Sequence, residues 1–230
     1  MPKRHRNNPP PNLDDWIARV ADRLEEHYGR RRRRREDPLD CLIRTILSQN
    51  TSDTNRDRAF RAMRERFPAW EDVRRADRGE LAEVIRPAGL ANNRSKTIQD
   101  VLNAIEDRYG ELSLDPLEEL DDGEALDALT SMKGVGVKTA RCVLMFAMGR
   151  DVFPVDTHIR RIAGRIGWAP EGTDLVKTTR LLADRIPDGR AFTLHLNLIR
   201  LGREICTART PFCHRCFLVP ECETGQKTVS

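Results

Sequence analysis

The chain has 230 residues, of which 39% are hydrophobic, 33% charged and only 5% aromatic, with a formal net charge of +4. That length bounds it to one large domain or two small ones, and the apolar content is enough for a core. No apolar run approaches the ~18 residues needed to cross a bilayer, and Met1-Pro2-Lys3-Arg4-His5-Arg6 has no apolar signal core behind it. The expectation is a cytoplasmic protein without membrane contact, nucleoid-associated if the source is prokaryotic. The charge is uneven: residues 1–35 carry 11 Lys and Arg against 5 Asp and Glu, and the remainder carries 29 against 31. Whole-chain charge is therefore weak support for a nucleic-acid partner, and a local basic face would have to supply that contact.

Residues 1–11 are polar and proline-rich and read as a disordered tail. Leu13, Trp16, Ile17, Val20 and Leu24 follow helical spacing, with Asn12 as a cap. Six consecutive arginines follow, Arg30 to Arg35. Their mutual repulsion makes a solvated linker the plain reading and a phosphate-contacting loop the sharper one. Asp37-Pro38 then opens a helix carrying Leu39, Leu42, Ile43, Ile46 and Leu47, and Ser52 or Asp53 caps the next, through Ala59, Phe60 and Met63. Two short helices span Trp70 to Ile85. A turn covers residues 88–94, and a helix with Ile98, Val101, Leu102 and Ile105 follows it. Asp121 or Asp122 caps a helix that ends near Met132. Further helices are expected from Ala140 to Met148, from about Asp156 to Ile166, and over about 173–185 and 189–204. Residues 223–230 read as a loose C-terminal tail. No strand alternation stands out, so the class is all-α.

The stretch Met132-Lys133-Gly134-Val135-Gly136-Val137-Lys138-Thr139-Ala140 reads as a tight reversal between two helices. Glycines permit unusual turns and leave room for a ligand backbone. The helix beginning near Val137 directs its first N–H groups and its positive dipole end into that turn, a sequence-independent site for a phosphate. Lys138, in the first turn, sits where a further positive charge is disfavoured. An uncharged amine is a nucleophile able to form a Schiff base, and a plain phosphate-contacting lysine is the alternative. Asp156 follows Pro154 and is placed to cap the next helix; a carboxylate there could also stabilise a cationic sugar. His158 reads as a hydrogen-bonded packing residue.

Cys206, Cys213, Cys216 and Cys222 are spaced C-x6-C-x2-C-x5-C. In an intracellular chain such a cluster reads as a metal site, holding zinc or a [4Fe-4S] cluster; a single C-x2-C knuckle with wide arms leans toward the larger group. Arg209, His214 and Arg215 could make its surroundings a basic, DNA-facing surface. Cys41 and Cys142 lie on apolar helix faces and read as small buried residues.

Three motifs together, the Gly134-Val135-Gly136-Val137-Lys138-Thr139-Ala140 hairpin, Val155-Asp156-Thr157-His158-Ile159, and Gly202-Arg203 leading into the four cysteines, resemble the endonuclease III family of base-excision DNA glycosylases. The resemblance covers roughly residues 38–222. It implies two helical domains. One is a six-helix barrel with a helix-hairpin-helix, over 37–150. The other is a [4Fe-4S] domain built from both chain ends, over 12–36 and 151–222, with DNA lying across the cleft between them. It matches Lys138 to the Schiff-base lysine and Asp156 to the catalytic aspartate. Asn50 matches the residue that fills the space of the flipped base, Leu90 the intercalating leucine, and Arg94 a nearby family lysine. Lys133, Gly134, Val135, Gly136 and Arg209 are further expected DNA contacts. Lys133 stands where proline is usual, and Asn50 is a shorter amide than the usual glutamine.

The implied activity is a bifunctional glycosylase/AP lyase, acting as a monomer on duplex DNA that contains damaged bases or abasic sites. It removes oxidised pyrimidines and cuts 3′ to the abasic site by β-elimination. Two alternatives stand beside it: a mismatch-specific thymine or uracil glycosylase, whose monofunctional relatives lack a lysine at position 138, and a non-catalytic DNA-binding module with a structural or redox cluster.

Overall fold

Residues 10–229 are described by the computed structural model, and every regular element among them is helical, as the periodicity predicts. Residues 1–9 of the expected tail lie outside the described part. Two compact units divide the chain: Arg34–Arg150 forms one, and the described residues on either side of it form the other.

Helix α1, Leu13–Tyr28, buries Leu13, Ile17, Val20, Ala21 and Leu24 on one stripe. Asn12 stands at its start, but makes no side-chain capping bond. The arginine run that follows Gly29 is exposed and without regular structure, but it is not a free linker throughout. Arg31 donates from its backbone N–H to Thr193 Oγ1 and from Nε to Asn197 Oδ1, both at 3.3 Å. The Arg33 guanidinium lies 5.2 Å from the centre of the Phe192 ring.

In the unit Arg34–Arg150, α2 runs over Pro38–Leu47. Pro38 sits in the first turn, where a missing N–H costs nothing, and the Asp37 carboxylate accepts from Asp40 N at 2.9 Å. Leu39, Leu42, Ile43, Ile46 and Leu47 are at most 1% exposed. Each such burial contributes roughly 1.5–3 kcal/mol, which makes α2 the axis of this unit. Around it come α3 (Asp53–Arg66), α4 (Trp70–Arg75), α5 (Arg78–Val84), α6 (Ala91–Tyr109), α7 (Asp122–Thr130) and α8 (Val137–Phe146). Helix α2 packs on α3, α6 and α8, α6 packs on α4 and α5, and α7 packs on α8. The turn expected over 88–94 is shorter than that. A 3-10 turn at Arg86–Ala88 and two left-handed residues, Gly89 and Leu90, complete the reversal, so α6 already includes Arg94. Cys41 and Cys142 are buried, as expected, and burial pushes the Cys41 thiol well up.

In the other unit, α9 (Thr157–Ile166), α10 (Leu175–Leu182), α11 (Ala191–Glu204) and α12 (Glu223–Val229) join α1. Helix α11 packs on α1 and α9, and both α10 and α12 pack on α9. Helix α12 corrects the expected loose end. Its sequence has no apolar periodicity, so nothing local announces it. It is held by close approach instead: a Cβ on buried Gly225 would lie 3.2 Å from Cys222 Cβ and 3.3 Å from Val219 Cα. No helix among the described residues is long and apolar enough to cross a membrane.

One buried amide shows how short helices are secured here. Gln99, on α6, donates from Nε2 to Ala76 O at 2.8 Å, with Val73 O and Arg74 O at 3.3 and 3.4 Å, and accepts from Arg78 Nε at 3.2 Å. A six-residue helix such as α4 cannot pair its last carbonyls internally. Replacing Gln99 with Leu is expected to lower unfolding free energy by about 1–3 kcal/mol, because those buried carbonyls lose their donor. Urea denaturation of the variant measures this, and an unchanged midpoint would refute the role.

Candidate functional site

The hairpin is built from a helix end, one tight turn and a helix start. Met132 N–H donates to Leu129 O at 3.2 Å as α7 ends, and Val135 N–H donates to Met132 O at 3.0 Å, closing the reversal. Gly134 takes φ +93°, and a Cβ there would come within 2.5 Å of Thr97 Cγ2 on α6. Gly136 differs from the sequence expectation: its φ of −88° is open to any residue, and no atom lies within 4 Å of its Cβ position. Only Gly134 is required by conformation; Gly136 leaves open space. Gly136 N-caps α8, so the N–H groups of Val137, Lys138 and Thr139 have no intrahelical partner. Lys138 is half-buried in this first turn, whereas Lys133 is exposed and Val135 buries its side chain, leaving backbone as its available contact.

Two other predicted residues stand on loops of the same unit. Asn50, between α2 and α3, has φ 53°, and Leu90, before α6, has φ 50°. Leu90 is 61% exposed, a large apolar side chain in water on a left-handed backbone. Arg94 is placed otherwise than predicted. It is 4% exposed, its Nη1 donates to Ala88 O and its Nη2 to Gln49 O, and burial lowers its pKa. A guanidinium spent on two backbone carbonyls is not available to a phosphate, so the expected DNA contact at Arg94 is withdrawn.

In the other unit, Asp156 N-caps α9, its carboxylate accepting from Ile159 N at 2.8 Å. This bond uses one oxygen. His158 Nδ1 lies 3.1 Å from Arg161 Nη2 and packs where a Cβ on Gly202 would come within 2.8 Å, a packing role as expected. One turn apart on α9, Arg161 and Arg165 escaped the sequence reading. Arg161 donates to Cys206 O from Nε and Nη2 and to Gly202 O at 2.9 Å, and burial lowers its pKa. Arg165 donates to Thr207 O at 2.6 Å, Ala208 O at 3.0 Å and Cys206 Sγ at 3.3 Å. The only trace of this in the sequence is the four-residue spacing of two arginines after a helix cap.

Cys206, Cys213, Cys216 and Cys222 line one recess, with Arg165, Ile205, Phe212 and Gly225 among its walls. Burial pushes the Cys216 thiol up to about 11 and raises that of Cys222. Among the described residues no three His, Cys, Asp or Glu side chains converge as ligands of a single metal ion. Arg209 is exposed on the loop between the first two cysteines.

A model of the HhH-GPD superfamily base excision DNA repair proteins matches residues 43–188. Endonuclease III of Thermotoga maritima is 30% identical over 207 residues, covering 90% of this chain and 92% of that protein. A relative from Arabidopsis thaliana, provisionally named as a DNA glycosylase, is 40% identical over 172 residues, 75% of this chain but only 58% of its own length. The solved structure of a trapped endonuclease III–DNA covalent intermediate aligns with a TM-score of 0.82 at 26% identity, over 94% of this chain and 99% of that one. The chain belongs to the HhH-GPD superfamily of base-excision DNA repair proteins and, within it, to the endonuclease III family.

The contact beneath the hairpin gives a test. Gly134→Ala combines left-handed strain with a clash and is expected to lower stability by about 1–3 kcal/mol, read by thermal unfolding. Adding Thr97→Ser, which removes the clashing Cγ2, restores part of that loss. Equal stability of Gly134→Ala and wild type would contradict the geometry.

Proposed function

We propose that the chain is a bifunctional DNA glycosylase/AP lyase that removes oxidised pyrimidines from duplex DNA. The observation that carries this reading is Lys138, half-buried in the first turn of α8 directly after the glycine hairpin, in a chain that matches endonuclease III over most of its length. The hairpin N–H groups are suited to hold a phosphate of the damaged strand. A weakly paired, damaged base is the least costly to flip from the stack. The Lys138 amine attacks C1′ of its sugar, the C1′–N bond breaks and the base departs with that electron pair and a proton. The Asp156 carboxylate contributes to this displacement by stabilising positive charge on the sugar. The C1′–O4′ bond then breaks as the sugar ring opens and O4′ takes a proton, leaving an iminium between Lys138 and C1′; this makes the C2′ proton acidic, and loss of that proton expels the 3′ phosphate by β-elimination.

Borohydride reduction should therefore trap a covalent adduct between the wild-type protein and thymine-glycol DNA, and Lys138→Ala should form none. Asp156→Asn should keep the helix cap, since Asn caps about as well as Asp, with stability changed by only a few tenths of a kcal/mol, while turnover is lost. An adduct of equal yield from Lys138→Ala would sink the lyase assignment. Normal turnover by Asp156→Asn would sink the role given to its carboxylate. Duplexes with G·T and G·U pairs in the same panel separate this specificity from that of a mismatch glycosylase.

The proposal extends to a [4Fe-4S] cluster on Cys206, Cys213, Cys216 and Cys222. The shared recess, its apolar walls and the guanidinium of Arg165 beside Cys206 Sγ support that assignment. When bound, such a cluster supplies four metal–thiolate anchors to a loop with little regular structure, stiffening it, and loading it releases the thiol protons. The purified protein should be brown with an absorbance band near 400 nm, lost in Cys213→Ser. A colourless protein carrying one equivalent of zinc would overturn the cluster.

A further inference from the structure

Asn50 and Leu90 belong to different loops, yet one side chain reaches the backbone before each of them. We propose that Arg94 is a positioning residue that sets Asn50 and Leu90 relative to each other; this rests on the reading above, in which those two residues enter the duplex around the flipped base. Among the described residues, Asn12, Asn50 and Leu90 are the non-glycine residues with positive φ. That conformation costs energy for any residue with a Cβ and persists where its surroundings impose it.

Arg94 supplies that imposition at both loops. Its own N–H donates to Leu90 O at 3.0 Å, and its Nη1 donates to Ala88 O, so the left-handed pair Gly89 and Leu90 is bracketed from both sides. Its Nη2 crosses 45 positions of sequence to Gln49 O, the carbonyl of the peptide that leads into Asn50. The Asn50 loop has little else of this kind. Its own backbone bonds, Gln49 N–H to Ile46 O and Thr51 N–H to Ser48 O, are long at 3.5 and 3.4 Å.

A planar guanidinium can aim two N–H groups at two carbonyls in fixed directions, whereas the ammonium of a lysine is a point charge on a flexible stem. The buried position of Arg94 leaves this role and removes the DNA contact that the family resemblance implied. If the amide of Asn50 fills the space of the flipped base while Leu90 wedges the stack, both must enter the same small region of the duplex together. Fixing their separation is then a condition of the chemistry, not only of stability.

The test compares two substrates. Excision from a thymine-glycol duplex needs both residues inserted, whereas β-elimination at an abasic site in a single strand needs no base pair opened. Arg94→Met should lower kcat on the duplex on the order of tenfold to hundredfold, the scale of an ångström misplacement. Cleavage of the single-stranded abasic oligonucleotide should continue at the wild-type rate. Arg94→Lys should fall between the two on the duplex, and it carries the test if Arg94→Met folds poorly. In the Arg94→Met background, Asn50→Ala should cost less than it does in wild type, because the positioned residue is already displaced. Equal losses on both substrates would mark Arg94 as merely structural, and an unchanged duplex rate would remove its role altogether; either overturns the inference while leaving the glycosylase/lyase reading intact. A wild-type protein inert on both substrates overturns that reading and the inference with it.

Discussion

A helix cannot hydrogen-bond its own first N–H groups, and the start of α8 is where this chain turns that deficit outward. The reversal before it is short because Gly134 adopts φ +93° against Thr97, in a space that admits no Cβ. Gly136 then begins the helix with nothing near its Cβ position. Behind the first turn, Ala140, Val143 and Leu144 are fully buried, and α8 packs on α2. Lys138 therefore stands at the end of a rigid element, which holds a reactive group to a narrower range of positions than a loop does. The apolar stripe of α2 has its consequence at this point.

The other unit solves a different problem. The loop through the four cysteines has only two 3-10 turns of regular structure, and its carbonyls need donors. Arg161 and Arg165 meet much of that need from one face of α9, reaching the carbonyls of Gly202, Cys206, Thr207 and Ala208. The same helix is started by Asp156. One element thus carries the capped carboxylate at its beginning and the clamp on the cysteine loop along its length. The pairing gives Gly202 a reason: a Cβ there would come within 2.8 Å of His158 Nδ1 and press on Arg161 Nη2 at 3.1 Å. Helix α12 completes the arrangement by packing against α9 and the cysteine turns.

How much of this could be read beforehand depended on the range of the interaction. Helix starts at Pro38, Asp122 and Thr157 follow from caps one to three residues away, and Asp37, Asp121 and Asp156 all make those bonds. The Lys138 turn and the cysteine spacing were legible for the same local reason. Arg94 was misread: the resemblance matched it to a family lysine and so to a DNA contact, while its carbonyl partners, one of them 45 positions away, are brought to it only by the fold. Helix α12 was missed because its polar sequence is folded by neighbours and not by periodicity. Gly134 and Gly136 look equivalent in the chain, yet only the first has a conformation that demands glycine.

By itself the sequence determined the helical class, the position of most helices, the hairpin, and the motifs that carry lysine, aspartate and four cysteines. Those are written in spacing and capping, which act within about one turn of helix. Tertiary structure alone decided which polar side chains are spent inside the protein: Gln99 on the end of α4, Arg161 and Arg165 on the cysteine loop, and Arg94 between Gln49 and Ala88. A buried carbonyl must find a donor wherever one can reach it. Sequence separation sets no limit on where that donor comes from.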